Sequence, residues 1–335
     1  MAYDIEGKLV IAIASSALFD LREADAIFRE KGPKEYREYQ RRNEDHPLRQ
    51  GVAFPFVKRI LRVNDRFPGE RPVEVILLSR NDPDTGLRVF KSIEHYGLDI
   101  TRAAFVNGRD PFRYMDAFNA SLFLSGNPKD VRAAIAQGLP AGLVFRAQHY
   151  DDDDEDEELR IAFDFDGVLA DDSAEQVFQR GQLELFHQSE RELRKQALGE
   201  GPLKRFFAEI ARIQQMELAL AEQDPNHKPR IRTAIVTARN APAHERVVTT
   251  LREWGIQVDE VFFLGGIEKR RILEVFRPHL FFDDQLSHIE GAAGVVPSVH
   301  VPFGIANAEP TSSGRGEEGN PPPPAPTQAV DSSTA

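Results

Sequence analysis

The chain contains no cysteine. That excludes a disulfide framework, a thiolate zinc site and a cysteine nucleophile together, and it fits a reducing, cytoplasmic setting. Long apolar runs are missing as well. The best candidate, residues 9–19 (LVIAIASSALF), falls well short of the ~20 apolar residues a membrane helix needs. Asp4 and Glu6 stand where a signal peptide carries basic residues, so the run reads as a buried first strand and no membrane association is expected. An excess of positive charge is absent too. The balance is 42 Lys+Arg against 54 Asp+Glu, a formal net charge of −12. A field of that sign repels a phosphate backbone, so nucleic acid is not an expected partner.

What is present is unevenly distributed. Residues 151–158 read DDDDEDEE and supply −8 of the charge; the stretch from Glu309 supplies −3, leaving −1 for the rest. The acidity therefore belongs mostly to two segments, and the argument against nucleic acid weakens accordingly. The acid run lacks apolar groups and repels itself, which predicts a solvated linker. Residues 306–335, rich in Pro, Gly and Ser, read as a disordered tail. The remaining length suits two domains at ~100–200 residues each.

Between these segments, short β-branched or aromatic runs alternate with amphipathic helices, the pattern of α/β units around a parallel sheet. Strands are expected at 9–14, 73–78, 103–106 and 122–124, then at 160–163, 233–236, 260–264 and 280–282. The two sets are copies. Residues 73–100 lie over 231–258 without a gap, matching Arg88 with Arg246, Tyr96 with Trp254 and Gly97 with Gly255. The register continues through Phe105 and Phe263 to Leu122 and Leu280. An internal duplication predicts two tandem Rossmann-like halves: 1–150, then 159–305, with 151–158 as the joint.

The copies differ where chemistry would sit. Aligned at Ile11 and Ile161, Ala14 faces Asp164 and Ser16 faces Asp166; Ser125 and Gly126 face Asp283 and Asp284. Four carboxylates are thus absent from one copy of a pattern that folds in both. In an open parallel sheet, ligands bind beyond the carboxyl ends of the strands. Acids clustered there repel one another unless a cation neutralises them, and oxygen ligands suit Mg²⁺.

DFDGVLADD, then VTARN, then a lysine before LFFDD, together resemble the haloacid dehalogenase superfamily of aspartate-nucleophile phosphatases. Through about residue 305 the chain more narrowly resembles the cytosolic 5′-nucleotidase type I family, on AFPFVKRIL, LLSRNDPDTGLRVFKSIEHYGLDITRAAF and AFNASLFLS in the first half. The first motif reads DFDGV where animal members carry DGDAV, which restores the general superfamily form. The resemblance implies a HAD-like catalytic half with a helical cap inserted at about 173–230, and a degenerate first half. It implies Asp164 as nucleophile and Asp166 as proton donor and acceptor. Mg²⁺ would be held by Asp164, the Asp166 carbonyl, and Asp283 or Asp284.

Thr237 ends a strand and is placed to hold a phosphoryl group; its counterpart Ser79 keeps the hydroxyl. Lys269, replaced by Pro111 in the first half, is the expected balancing cation. Arg239 and Asn240 are candidates to touch substrate or to cap their loop. Lys204 and Phe206 are candidates to bind phosphate or stack a base, against the plainer reading of a packed helical stripe through Phe207, Ile210, Ile213 and Leu218. His187, His244 and His288 show no metal spacing and read as surface or packing residues. The expected activity is Mg²⁺-dependent hydrolysis of nucleoside 5′-monophosphates, AMP first. A phosphatase for sugar phosphates, or a non-catalytic nucleotide-binding module, are the alternatives. Self-association is left open.

Overall fold

The computed structural model describes residues 3–145, 152–153, 155–224 and 226–308, without the side chains of 178–182. The first half runs β1 (Leu9–Ile13), α1 (Ser15–Leu18), β2 (Phe19–Asp20), α2 (Arg22–Arg42), β3 (Arg49–Gln50), α3 (Phe54–Arg62), β4 (Val73–Ser79), α4 (Pro83–His95), β5 (Arg102–Phe105), β6 (Leu122–Ser125), α5 (Pro128–Ile135) and β7 (Ala141–Phe145). The second runs β8 (Leu159–Phe163), α6 (Ser173–Glu192), α7 (Lys204–Gln223), β9 (Ile231–Thr237), α8 (His244–Glu253), β10 (Glu260–Phe263), α9 (Lys269–Phe276), β11 (Leu280–Asp283), α10 (Leu286–Ala292) and β12 (Ser298–His300).

Ten of these strands form one sheet, ordered β10-β9-β8-β11-β12-β7-β6-β1-β4-β5. Each half has the same internal order: β5-β4-β1-β6-β7 mirrors β10-β9-β8-β11-β12. Within a half the pairing is parallel, with Ile11 opposite Val75 and Leu122, and Ile161 opposite Thr233 and Leu280. The halves meet through an antiparallel pair within this sheet, β7 with β12, at Phe145–Ser298 and Leu143–His300. The eight expected strands are all present. The two that join the halves were not expected from the sequence. Gly142 makes that seam close, because a Cβ there would collide with Val299 Cγ1 across it.

Strands buried on both faces read as continuous apolar runs, and Leu9–Ile13 is buried throughout. Alternation sends Leu9, Ile11 and Ile13 to one face, where they share a core with Ile161 and Phe163 of the other half. Helices α3 and α7 supply that core with Phe56, Ile60, Phe206 and Ile210. The opposite face divides into two smaller cores, around Val10 and Phe123 and around Ala162 and Phe281. Each fully buried Leu, Ile or Phe is worth ~1.5–3 kcal/mol, so the shared core ties the halves together.

Three sequence expectations change here. The segment 173–230 is not peculiar to the second half, because α2 and α3 occupy the same place between β1 and β4. Only α6 reaches over the strand ends; α7 packs on the sheet. The acid run is also more than a solvated linker. Among its described residues, Asp152 pairs with Arg59 at 2.7 Å, Glu157 with Arg230 at 2.7 Å, and Asp156 and Glu158 with Arg160 at 2.7 and 2.8 Å. Arginines from both halves thus pair four acids of the run. Finally, Ile305–Asn307 forms a 3₁₀ turn, so folded chain extends through 308; the tail from Glu309 lies outside the described residues. No described helix is long and apolar enough to cross a membrane.

Candidate active site

The chain leaves β8 toward β9 on one side of the sheet and later returns to β11 on its other side, which makes the ends of β8 and β11 a switch point. Asp164 follows β8, its amide donating to the Phe282 carbonyl at 2.7 Å. One carboxylate oxygen accepts the Phe165 amide at 2.7 Å. The other lies 2.8 Å from Lys269 Nζ, which opens α9 and also reaches Asp283 at 2.7 Å. All three side chains are buried. The chain turns away at Gly167 (φ 72°), where a Cβ would sit 2.5 Å from Asp284 Oδ2; the glycine of the motif makes room for the terminal acid pair.

The pair has two different jobs. Asp283 accepts Lys269, the Gln285 amide at 2.8 Å, and His288 Nδ1 at 3.2–3.3 Å. Although burial opposes it, Lys269 and His288 hold Asp283 below the usual carboxylate range. Asp284 is buried beside it, and its Oδ1 has no partner among the described residues. Burial, followed by the nearby Asp164 and Asp283 charges, pushes Asp284 up to about 9. Burial likewise raises Asp164 to about 7, with Lys269 opposing. Lys269 itself is held above its ordinary value, the two carboxylates outweighing its burial.

The unpartnered Asp284 Oδ1 and three buried carboxylates gathered at two strand ends fit a divalent metal. Ligand atoms of Asp164, Asp283 and His288 come within 4.8 Å of one another. Since the Asp283 oxygens are committed to neighbours, Asp284 is the acid with ligand capacity to spare. The oxygen-rich set suits Mg²⁺.

Asp166 points into a cleft of about 410 Å³ that also exposes Asp164, Thr237 and Asn240. Leu183 and Phe186 of α6 form its apolar wall. Arg239 grips Asp166 through two bonds of 2.7 Å, and its remaining Nη1 bonds Glu190 and the Ala243 carbonyl. Those two carboxylates raise the already high Arg239 pKa, against its burial. Thr237 Oγ1 accepts the Arg239 amide at 3.2 Å.

The structure thus gathers Asp164, Asp166, Thr237, Lys269, Asp283, Asp284, Arg239 and Asn240 at one place, with Arg239 committed to Asp166. It does not bring Lys204 or Phe206 there. Phe206 is fully buried between Phe163 and Phe282 (centroids 6.1 and 5.9 Å away), because its face of α7 meets the sheet. Lys204 pairs with Glu200 at 2.7 Å and lies over Trp254. His288 is a site residue rather than a surface one. His187 and His244 stay away from the acids: His244 packs on Phe263 and His187 beside Phe186. Sequence reasoning also missed Glu190, whose partners lie 49 and 56 residues away; the one available signal was a glutamate facing Gln40 in the duplicate.

A model of the 5′-nucleotidase family matches residues 1–308. Human cytosolic 5′-nucleotidase 1B is 37% identical over 295 residues, which is 86% of this chain and 47% of the human protein. The chain therefore spans about half the length of that relative. No solved structure matches it. The family match over 1–308, together with that identity, assigns the chain to the 5′-nucleotidase family.

Proposed function

We propose that this chain is a cytoplasmic, Mg²⁺-dependent phosphomonoesterase acting on nucleoside 5′-monophosphates, with AMP the first substrate to test. The observation that carries the reading is the buried Asp164–Lys269–Asp283 cluster with Asp166 opening into the same cleft. The printed name of the human relative supports the substrate class.

An Asp164 oxygen attacks the phosphorus and forms an aspartyl-phosphate as the bond to the nucleoside 5′-oxygen breaks. Asp166, protonated on an oxygen that has released its Arg239 bond, gives that leaving oxygen its proton. Asp166 then takes a proton from the water that attacks the aspartyl-phosphate, and phosphate leaves with Asp164 restored. Lys269 balances the charge of the transferring group, and the Thr237 hydroxyl donates to a phosphoryl oxygen. Leu183 and Phe186 give the nucleoside an apolar surface. Asp164, Asp284 and the Asp166 carbonyl would hold Mg²⁺, which when bound screens the repulsion between an anionic nucleophile and an anionic substrate. The division of labour is 159–305 for chemistry and 1–150 as an inactive copy that completes the sheet.

Phosphate release from AMP, other nucleoside monophosphates and ribose 5-phosphate, with Mg²⁺ or with EDTA, tests the reading. Turnover of AMP well above ribose 5-phosphate, lost in EDTA, is expected. Equal turnover of the two would falsify the nucleotide assignment in favour of a sugar phosphatase, and no release from any would leave a binding module.

A further inference from the structure

Buried charges run in a chain from the cleft into the protein: Asp166, Arg239, Glu190, Arg246. Glu190, on α6, is 1% exposed. It receives Arg239 on one oxygen and Arg246 on the other, the latter at 2.8 Å. Arg239 in turn has both other nitrogens on Asp166, and its guanidinium lies between the Phe165 and Phe186 rings, 5.8 and 5.6 Å from their centroids. A planar fork held at both ends has one orientation left to it.

The first half contains its own control. Arg88 donates to the His46 carbonyl at 3.0 Å and to Gln40 at 3.1 Å. Arg246 donates to the Gln196 carbonyl at 3.0 Å and to Glu190 at 2.8 Å. The scaffold is the same, yet the first half has Gln40 for Glu190, Asn81 for Arg239 and Ser16 for Asp166. The fold therefore needs an acceptor at this point, not a charge. Burying an ionised carboxylate costs several kcal/mol before pairing, and the unarmed copy avoids that cost with an amide.

We infer that Glu190 is a positioning residue for the reaction: it fixes Arg239, and Arg239 fixes the Asp166 carboxylate beside the leaving oxygen. This rests on the role given to Asp166 above. It also links α6, whose Leu183 and Phe186 line the cleft, to the alignment of the proton-transfer group. Nucleotide docking against α6 and correct placement of Asp166 become one event.

The test uses the full chain and three variants: Glu190→Gln, Arg239→Asn and the double. Gln40 shows that the amide fits the scaffold, so E190Q is expected to fold. A misplacement of about 1 Å costs ~100-fold in rate; kcat on AMP should fall by that order while KM moves less than about threefold. Because Glu190 acts through Arg239, the double variant should be no slower than Arg239→Asn alone. A folded E190Q with kcat within about twofold of the parent overturns the inference, as does a rise in KM with kcat unchanged. If E190Q does not fold, the comparison of the double with Arg239→Asn decides: equal rates support the inference, and a further loss in the double overturns it. A parent inert on AMP overturns the nucleotidase reading instead, whereas an active parent with an unaffected E190Q removes only the role of Glu190.

Discussion

The two halves of the sheet share strand order, register and helical layers, but differ at the strand ends. Where Asp283 accepts the Gln285 amide at 2.8 Å, Ser125 accepts the Asn127 amide at 3.1 Å. Where Thr237 accepts the Arg239 amide, Ser79 accepts the Asn81 amide, both at 3.2 Å. A hydroxyl is enough for each turn. The charge of Asp283 is therefore surplus to the fold, and its use is to hold Lys269 and His288. Ala14, Gly126 and Pro111 teach the same about Asp164, Asp284 and Lys269: the backbone path survives without them. The first-half cleft, about 290 Å³, is lined by Ser16, Ser79 and Ser125 where the second half has carboxylates or threonine. Its one lining cation, Arg80, is spent on Asp130 at 2.8 Å and on Asp110 at 2.6 Å. Subtracting one half from the other isolates the chemistry.

The comparison is broken most decisively at the nucleophile. Asp164→Asn should lose hydrolysis by about 10⁴-fold or more while melting no lower than the parent, since Ala14 fills the equivalent place. Retained phosphate release would show that the surplus carboxylate is not the reacting group. Next in size, Lys269→Met should cost about 10²–10³-fold in kcat. That loss should not recover with added Mg²⁺, because a metal at Asp164 and Asp284 does not replace a charge at Lys269.

A stability measurement sharpens the comparison without catalysis. Asp164 and Asp284 have folded pKa values of about 7 and about 9, above the unfolded ~3.9. Above pH 7, His227, His279 and His300, which burial holds below their ordinary value, no longer take up protons on unfolding. There these two acids leave the folded metal-free protein with more protons than the unfolded chain, so stability falls as pH rises. In EDTA the melting temperature should drop from pH 7 to pH 9, and Mg²⁺ should raise it most at the alkaline end. A flat profile in EDTA would mean that the acids are compensated inside the protein. The smallest effect belongs to the first half. Ser79→Ala removes the turn bond from the Asn81 amide and a buried bond to the Ser15 hydroxyl at 3.0 Å, each worth ~0.5–1.5 kcal/mol, and should leave phosphate release unchanged.

Much of the site was legible because its acids sit immediately after apolar strands, where alternation and chain direction fix the end of the sheet they occupy. Asp164, Asp166, Thr237 and the acid pair needed only that. Lys269 was found by its position before the last parallel strand. For Arg239 the sequence leaves substrate contact and loop capping both open, since nothing local shows that its guanidinium turns toward Asp166 and Glu190. Phe206 belongs to an aromatic stripe whose outward or inward sense depends on what α7 packs against. His288 carries no motif and gains its role from Asp283. Strands β7 and β12 escaped because AGLVF and SVH are short, and the four residues between Pro297 and Pro302 carry no period.

By itself the sequence determined the repeat, the parallel α/β units and which acids stand at the strand ends, all of which depend on spacing along the chain. Only the tertiary structure decided that the halves share one sheet, that arginines from both sides pair four acids of the run, and that Glu190 stands behind Arg239. Those outcomes depend on charges and strand edges tens of residues apart, whose pairing energy exists only once the chain has brought them together.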